Sequence, residues 1–142
     1  MSSSSASAQA LGYYYQGVFG LHYILTSSDG SCHSIRIEGM DDLESLGAEK
    51  IKRLLQLKHH VGSDSSLTDR SIDFWRTVRV WSRLMASGKI QTDEICLDLY
   101  TTSTVHDNSI VAQLGESPDR RNLIRICDGL DQIANSASST LK

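Results

Sequence analysis

No apolar run in this chain approaches the ~18 residues that a membrane-spanning helix needs. The N-terminus also lacks the basic-then-apolar pattern of a secretory signal. Both absences lead to an expectation of a cytoplasmic protein with no membrane partner. Cysteine is scarce: Cys32, Cys96 and Cys127 are odd in number and widely spaced. Such a set reads neither as a disulfide framework nor as a zinc site, but as small buried residues in a reducing compartment. A basic excess is missing as well. Net charge is −3, so any binding to nucleic acid must rest on charge arranged locally. What remains, 39% hydrophobic and 22% charged residues in a chain of 142, suits one folded domain and excludes a disordered one.

Residues 1–10 are rich in Ser and Ala, show no apolar periodicity and read as a flexible tail, which leaves 11–142 as a single domain. Leu11, Tyr14, Val18, Leu21 and Leu25 recur at helical spacing and predict a first helix over 12–26. Strands are expected over 31–38, 41–46 and 53–60, the first two forming a hairpin through Gly39 and Met40. In the third, Leu55 and Leu57 fall on one face, Gln56 and Lys58 on the other. Residues 61–66 and 103–108 read as loops. Thr68 is the expected N-cap, with Asp69 in the first turn, of a helix to about residue 86. That helix should bury Ile72, Trp75, Val78, Trp81 and Met85. A fourth strand over 95–102 reads as buried on both faces through Cys96, Leu97 and Leu99. A short helix or turn over 109–115 follows. Pro118 marks the start of a final helix with an apolar stripe of Leu123, Ile126, Cys127, Leu130, Ile133 and Ala134. Helix, three strands, helix, strand is an α/β layered order.

The chemistry concentrates between Glu38 and Lys58. An acid cluster, Glu38, Asp41 and Asp42, precedes Gln56-Leu57-Lys58 on a strand. Pairing of the two strands would bring acids and lysine together. Carboxylates hold a divalent cation, and a nearby ammonium stabilises developing negative charge. That is equipment for cutting a phosphodiester. An acid, a gap and then Gln-x-Lys resembles the Mrr-like branch of the PD-(D/E)xK nucleases. The ordered set Gly12-Tyr13-Tyr14-Tyr15-Gln16, Glu38-x-x-Asp41-Asp42, Gln56-Leu57-Lys58-His59, Leu67-Thr68-Asp69-Arg70-Ser71 and Asp73-Phe74-Trp75-Arg76-Thr77 is similar to one domain in particular. This is the double-stranded DNA endonuclease domain of anti-phage effectors in CBASS operons, usually fused to a SAVED sensor domain. The resemblance spans about residues 12–104.

The resemblance implies a restriction-endonuclease-like fold of three layers, a mixed sheet flanked by helices. It implies a Mg²⁺-dependent (or Mn²⁺-dependent) endonuclease acting on double-stranded DNA with little sequence preference, in anti-phage defence. It also implies that this domain is the N-terminal part of a larger effector. That effector would be a homo-oligomer when active, switched on by a sensor domain or subunit that binds a cyclic oligonucleotide. Asp42, Gln56 and Lys58 are then the catalytic set. Asp42, Glu38 and the backbone carbonyl of Leu57 would hold the metal, Gln56 standing where most of the superfamily carries an acid. Gln16 and Asp41 would support them from behind.

Several of these residues keep a plainer reading. A one-residue shift exchanges the faces of Asp41 and Asp42. Glu38 shares the parity of Asp42, yet would equally pair with Arg36 or Lys58. His60 shares the parity of Lys58 and would contact phosphate, while His59 reads as packing. Arg76, Arg79 and Arg83 form one helical stripe, able to follow a DNA backbone or simply to face solvent. Arg120, Arg121 and Arg125 are a weaker basic group.

Overall fold

In the computed structural model, residues 3–27, 32–47, 50–60, 65–91 and 93–139 are described. The first helix, α1 (Ser3–Thr26), starts well before residue 12. Alanine is the best helix former and serine is tolerated, so residues 3–10, read as a tail, continue a helix that apolar spacing revealed only from Leu11 onward. In chain order there follow β1 (Ser34–Ile37), β2 (Leu43–Leu46), β3 (Ile51–Lys58), β4 (Ser66–Leu67), α2 (Ile72–Ala86), β5 (Cys96–Thr101), β6 (Thr104–Val105), α3 (Ile110–Leu114) and α4 (Leu123–Ser139). The protein is α/β, with a mixed sheet and flanking helices. The chain groups into two compact units. One is Met1–His59 with Arg79–Thr102, the other His60–Val78 with Ser103–Lys142. Among the described residues no helix is long and apolar enough to cross a membrane.

The first unit is built on a four-stranded sheet of order β1-β2-β3-β5. β1 to β3 run antiparallel as successive neighbours, and β5 lies parallel to β3. Leu43, Leu55 and Leu57 form the buried floor of one face. Tyr15, Phe19 and Tyr23, at i, i+4 and i+8 on α1, cover it together with Ile35. Gly20 lies on the same side, where an added Cβ would meet Ile35 at 3.3 Å. A glycine there lets helix and hairpin approach closely.

This docking reverses an expectation. The stripe of Leu11, Tyr14, Val18, Leu21 and Leu25 faces away from the core, all five being exposed. Helical spacing marks apolar stripes; it does not say which of two the sheet takes. Here the aromatic stripe carries more bulk to fill the leucine floor.

Among the described residues β5 is an edge strand paired with β3, and neither face is fully buried: Leu97 and Leu99 are half-buried and Cys96 is exposed. Cys127 is exposed as well and Cys32 partly so, against the expectation of three buried thiols. Arg53 of β3 donates to Asp98 Oδ2 of β5 at 2.7 Å, tying the edge to the sheet.

In the second unit, β4 and β6 form a short parallel pair within segments read as loops, Ser66 opposite Thr104 and Leu67 opposite Val105. α2 begins three residues later than expected, at Ile72. Ser71 O takes the Trp75 N–H at 3.2 Å, and Thr68 closes the preceding turn by accepting from Ser71 N at 3.0 Å. Asp69 is used elsewhere: its Oδ1 accepts from Val111 N at 2.9 Å, beside the Ser109 N-cap of α3. Asp73 is the acid in the first turn of α2. Phe74 and Thr77 are its buried residues in this unit, whereas Ile72 is 67% exposed. α4 starts at Leu123 rather than near Pro118, because Asn122 Oδ1 caps it by accepting from Arg125 N at 3.0 Å. Ile126 is buried, while Leu123, Cys127 and Ala134 are exposed.

Leu55 is fully buried, so Leu55→Ala should cost about 2–5 kcal/mol through the cavity it leaves. Ile72→Ala, at a position that spacing alone would call core, should change stability by about 0.5 kcal/mol or less. Urea unfolding midpoints measure both, and equal losses would contradict the burial described above.

Candidate active site

The connection between β1 and β2 is held from below by a buried acid. Glu44 is fully buried, and its Oε2 accepts from Arg36 Nη1 at 2.7 Å. Its Oε1 accepts the backbone N–H of Met40. A Cβ at Gly39 would overlap this carboxylate, so the turn closes only over a glycine. Glu38 N donates to Asp42 O at 3.0 Å across the turn. Glu38 adopts φ 55, the left-handed region where non-glycine residues are uncommon. Strain of this kind clusters at functional sites. The sequence reading did not single out Glu44. Its signal was a lone acid inside Leu43–Leu46, a strand that the sheet order places at the centre.

The turn separates the two neighbouring aspartates, the choice that parity left open. Asp42 points at β3: its Oδ2 accepts from the Gln56 side-chain amide and from Leu57 N, the latter at 2.8 Å. Asp41 is buried, and its carboxylate accepts from Trp81 Nε1 on α2 and from Asp42 N at 3.0 Å. Burial pushes the Asp41 carboxyl above its ordinary value of 3.8. The Trp81 and Asp42 N–H bonds and the Lys58 charge pull it back only in part. Lys58 therefore lies within electrostatic reach of Asp41. Gln56 is buried and Lys58 half-buried, on the strand parity expected, with Leu55 and Leu57 in the core on the other side.

Glu38 does not share a partner with Asp42. Its positive φ breaks the strand parity, and Glu38 Oε1 accepts from Gln16 Nε2 of α1 at 2.8 Å. Gln16 is thus brought to the acid cluster through Glu38. Neither rival partner of Glu38 is used, Arg36 being paired with Glu44. The other amide atom, Gln16 Oε1, is buried without a hydrogen-bond partner among the described residues. His59 packs its ring on Tyr15, with centroids 4.4 Å apart.

The remaining candidates are less concentrated. His60 belongs to the second unit and lies 3.0 Å from Asp73 Oδ2, an ion pair when the ring is protonated. The expected phosphate contact would compete with that carboxylate. Arg76, Arg79 and Arg83 are all exposed along α2. Of the weaker basic group, Arg121 donates to Glu116 O at 2.7 Å.

In donor chemistry the set around Asp42 suits a hard divalent cation: carboxylates of Asp42 and Glu38, amide oxygens of Gln16 and Gln56, and a strand carbonyl. The orphaned, buried Gln16 Oε1 is the observation that favours such a use. Among the described residues, no three His, Cys, Asp or Glu side chains gather as a metal site, so a cation here would draw on amide and backbone oxygens too. No protein-family model, no curated protein and no solved structure matches this chain.

Two outcomes follow. Gly39→Ala would force Glu44 out of its bonds, and the buried carboxylate left without them should cost about 3–5 kcal/mol in urea unfolding. Asp41 gives a pH signature. Its native pKa lies above the unfolded one, so the native state binds the proton more tightly. Its contribution to stability is therefore fully present at low pH. It is lost as pH rises from about 3.8 through the native value. Asp41→Asn should remove that decline from the stability-versus-pH curve; an unchanged curve would show that Asp41 is not the group responsible.

Proposed function

We propose that the protein is a metal-dependent endonuclease of the Mrr-like PD-(D/E)xK type, acting on double-stranded DNA. The observation that carries this reading is the meeting of Asp42 with Gln56 and Leu57 at one end of β3, with Lys58 next along the strand. The order around the larger sheet supports it too: leaving aside the two-residue β4, a helix, three antiparallel strands, a helix and a parallel strand is the order that the restriction-endonuclease-like fold would have.

In this reading Asp42, Glu38, Gln56 and the Leu57 carbonyl would hold Mg²⁺ or Mn²⁺. When bound, the cation would polarise a phosphoryl oxygen and lower the pKa of an attacking water. The chain's own groups do the rest. In a strand the N–H and C=O of one residue reach the same neighbour, so the Leu57 carbonyl lies on the Asp42 side. Lys58 supplies fixed positive charge where the pentavalent phosphate gathers negative charge. Gln16 orients Glu38 through their 2.8 Å bond. Asp41, anchored by Trp81, positions the backbone of Asp42 and balances the charge of Lys58. The arginines of α2 would follow the phosphate backbone without reading sequence. Anti-phage defence, control by a cyclic-oligonucleotide sensor and oligomerisation on activation belong to the same proposal.

One observation favours a second reading, a nucleic-acid-binding or assembly scaffold without catalysis. The Gln56 amide N–H closes on Asp42, so the carboxylate is partly satisfied by a neutral group. Plasmid relaxation at low salt, with Mg²⁺ and with EDTA, separates the two. The nuclease reading expects nicking that EDTA abolishes and that Lys58→Ala and Asp42→Asn each lower by about 100-fold or more. It expects a smaller loss for Asp41→Asn, and DNA binding retained in Lys58→Ala. Binding by the wild-type chain with no Mg²⁺-dependent cleavage would replace it with the scaffold reading.

A further inference from the structure

Leu11, Tyr14, Val18, Leu21 and Leu25 are separated by three, four, three and four residues. That is the a–d–a–d–a repeat of a coiled-coil seam, with a period of 3.5 rather than 3.6 residues. The residues stand 46%, 71%, 49%, 60% and 75% exposed, on the side of α1 away from Tyr15, Phe19 and Tyr23. The seam spans about 21 Å of helix at 1.5 Å per residue. Ile24, 36% exposed, flanks it at a g position. With about 200 Å² for each fully exposed large side chain, the seam and Ile24 offer roughly 700 Å². That approaches the ~800 Å² per partner of a stable interface.

We infer that this face pairs with the same face of α1 in a second copy of the chain. The 3-4-3-4 spacing specifies a helix as the occupant, because each knob needs a hole made by four residues of a facing helix. Self-pairing follows from what flanks the seam. Charged e and g residues choose partners and exclude wrong ones, and α1 carries no Asp, Glu, Lys or Arg at all. Two copies therefore meet without like-charge repulsion although each chain is net negative, and a two-fold axis makes one patch its own complement. Gly12 and Gly17 lie next to the seam with open space where a Cβ would be, which permits close backbone approach. A membrane surface fits less well. Helices that lie on bilayers usually set Lys and Arg along their polar face, and α1 has none.

The test is sedimentation equilibrium on the full chain, wild type and Leu21→Glu/Leu25→Glu. Both substitutions sit at exposed positions outside the Leu43–Leu55–Leu57 core, so far-ultraviolet circular dichroism should be unchanged. The wild type should run at twice the mass of one chain and the double variant at the mass of one. A second readout is oxidation of Val18→Cys in a chain whose Cys32, Cys96 and Cys127 are replaced by Ser, alone and mixed with an excess of the same cysteine-free chain that keeps Val18. A symmetric seam should give a disulfide-linked dimer that the excess Val18 chain dilutes away. A wild type that is monomeric at high concentration would overturn the inference. So would a dimer that survives the double substitution, or a wild type that stays monomeric while α1 binds phosphatidylcholine or phosphatidylserine vesicles. None of these outcomes depends on whether the protein cuts DNA.

Discussion

The carboxylate of Glu44 is the constraint on which the candidate site depends. It is fully enclosed, and a carboxylate taken out of water is costly unless its bonds are made within the protein. Arg36 supplies the charge and Met40 the backbone N–H. Those two bonds fold the 38–42 segment over Gly39 and leave room for nothing larger than hydrogen there. Everything proposed for Asp41, Asp42 and Glu38 follows from that clamp. The turn sends Asp42 toward β3, buries Asp41 under Trp81, and twists Glu38 into a left-handed conformation facing Gln16.

The result is a division of labour between adjacent acids. Asp41 is desolvated and holds its proton more tightly than an ordinary carboxyl. Asp42 is only partly buried and is met by the N–H donors of Gln56 and Leu57. In the proposed nuclease the first would be a positioning residue and the second a ligand. The identity of Gln56 matters in the same terms: an amide can donate to Asp42 or present its oxygen, whereas the usual acid would only repel a neighbouring carboxylate unless a cation stood between them.

How much of this was legible in the sequence can be read from single residues. The alternation Leu55-Gln56-Leu57-Lys58 is local, and the structure keeps both faces as alternation assigns them. Parity arguments failed where the backbone leaves the strand: Glu38 and Asp42 share parity, yet a positive φ sends their side chains to different partners. Thr68 and Asp69 look like a helix start by local rule. Ser71 took over the start of α2, and Asp69 bonded instead to α3, 42 residues away. The plain reading of His59 as packing agrees with its ring contact on Tyr15. The group of His60 with Asp73, like that of Glu44 with Arg36, joins residues whose pairing no spacing announces.

By itself the sequence determined the main helices and the four strands of the larger sheet, in order, because periodicity of 2 or 3.6 and turn chemistry act over a few residues; the short β4 and β6 and the first turns of α1 carried no such signal. It also determined the local faces of β3 and one apolar stripe on α1. Only the tertiary structure decided which stripe the sheet covers, which of Asp41 and Asp42 meets Gln56, and that Glu44 lies buried beneath the turn. Those choices depend on shape and desolvation across long stretches of chain, where volume, close approach at Gly20 and Gly39, and the cost of an unpaired buried carboxylate outweigh local preference.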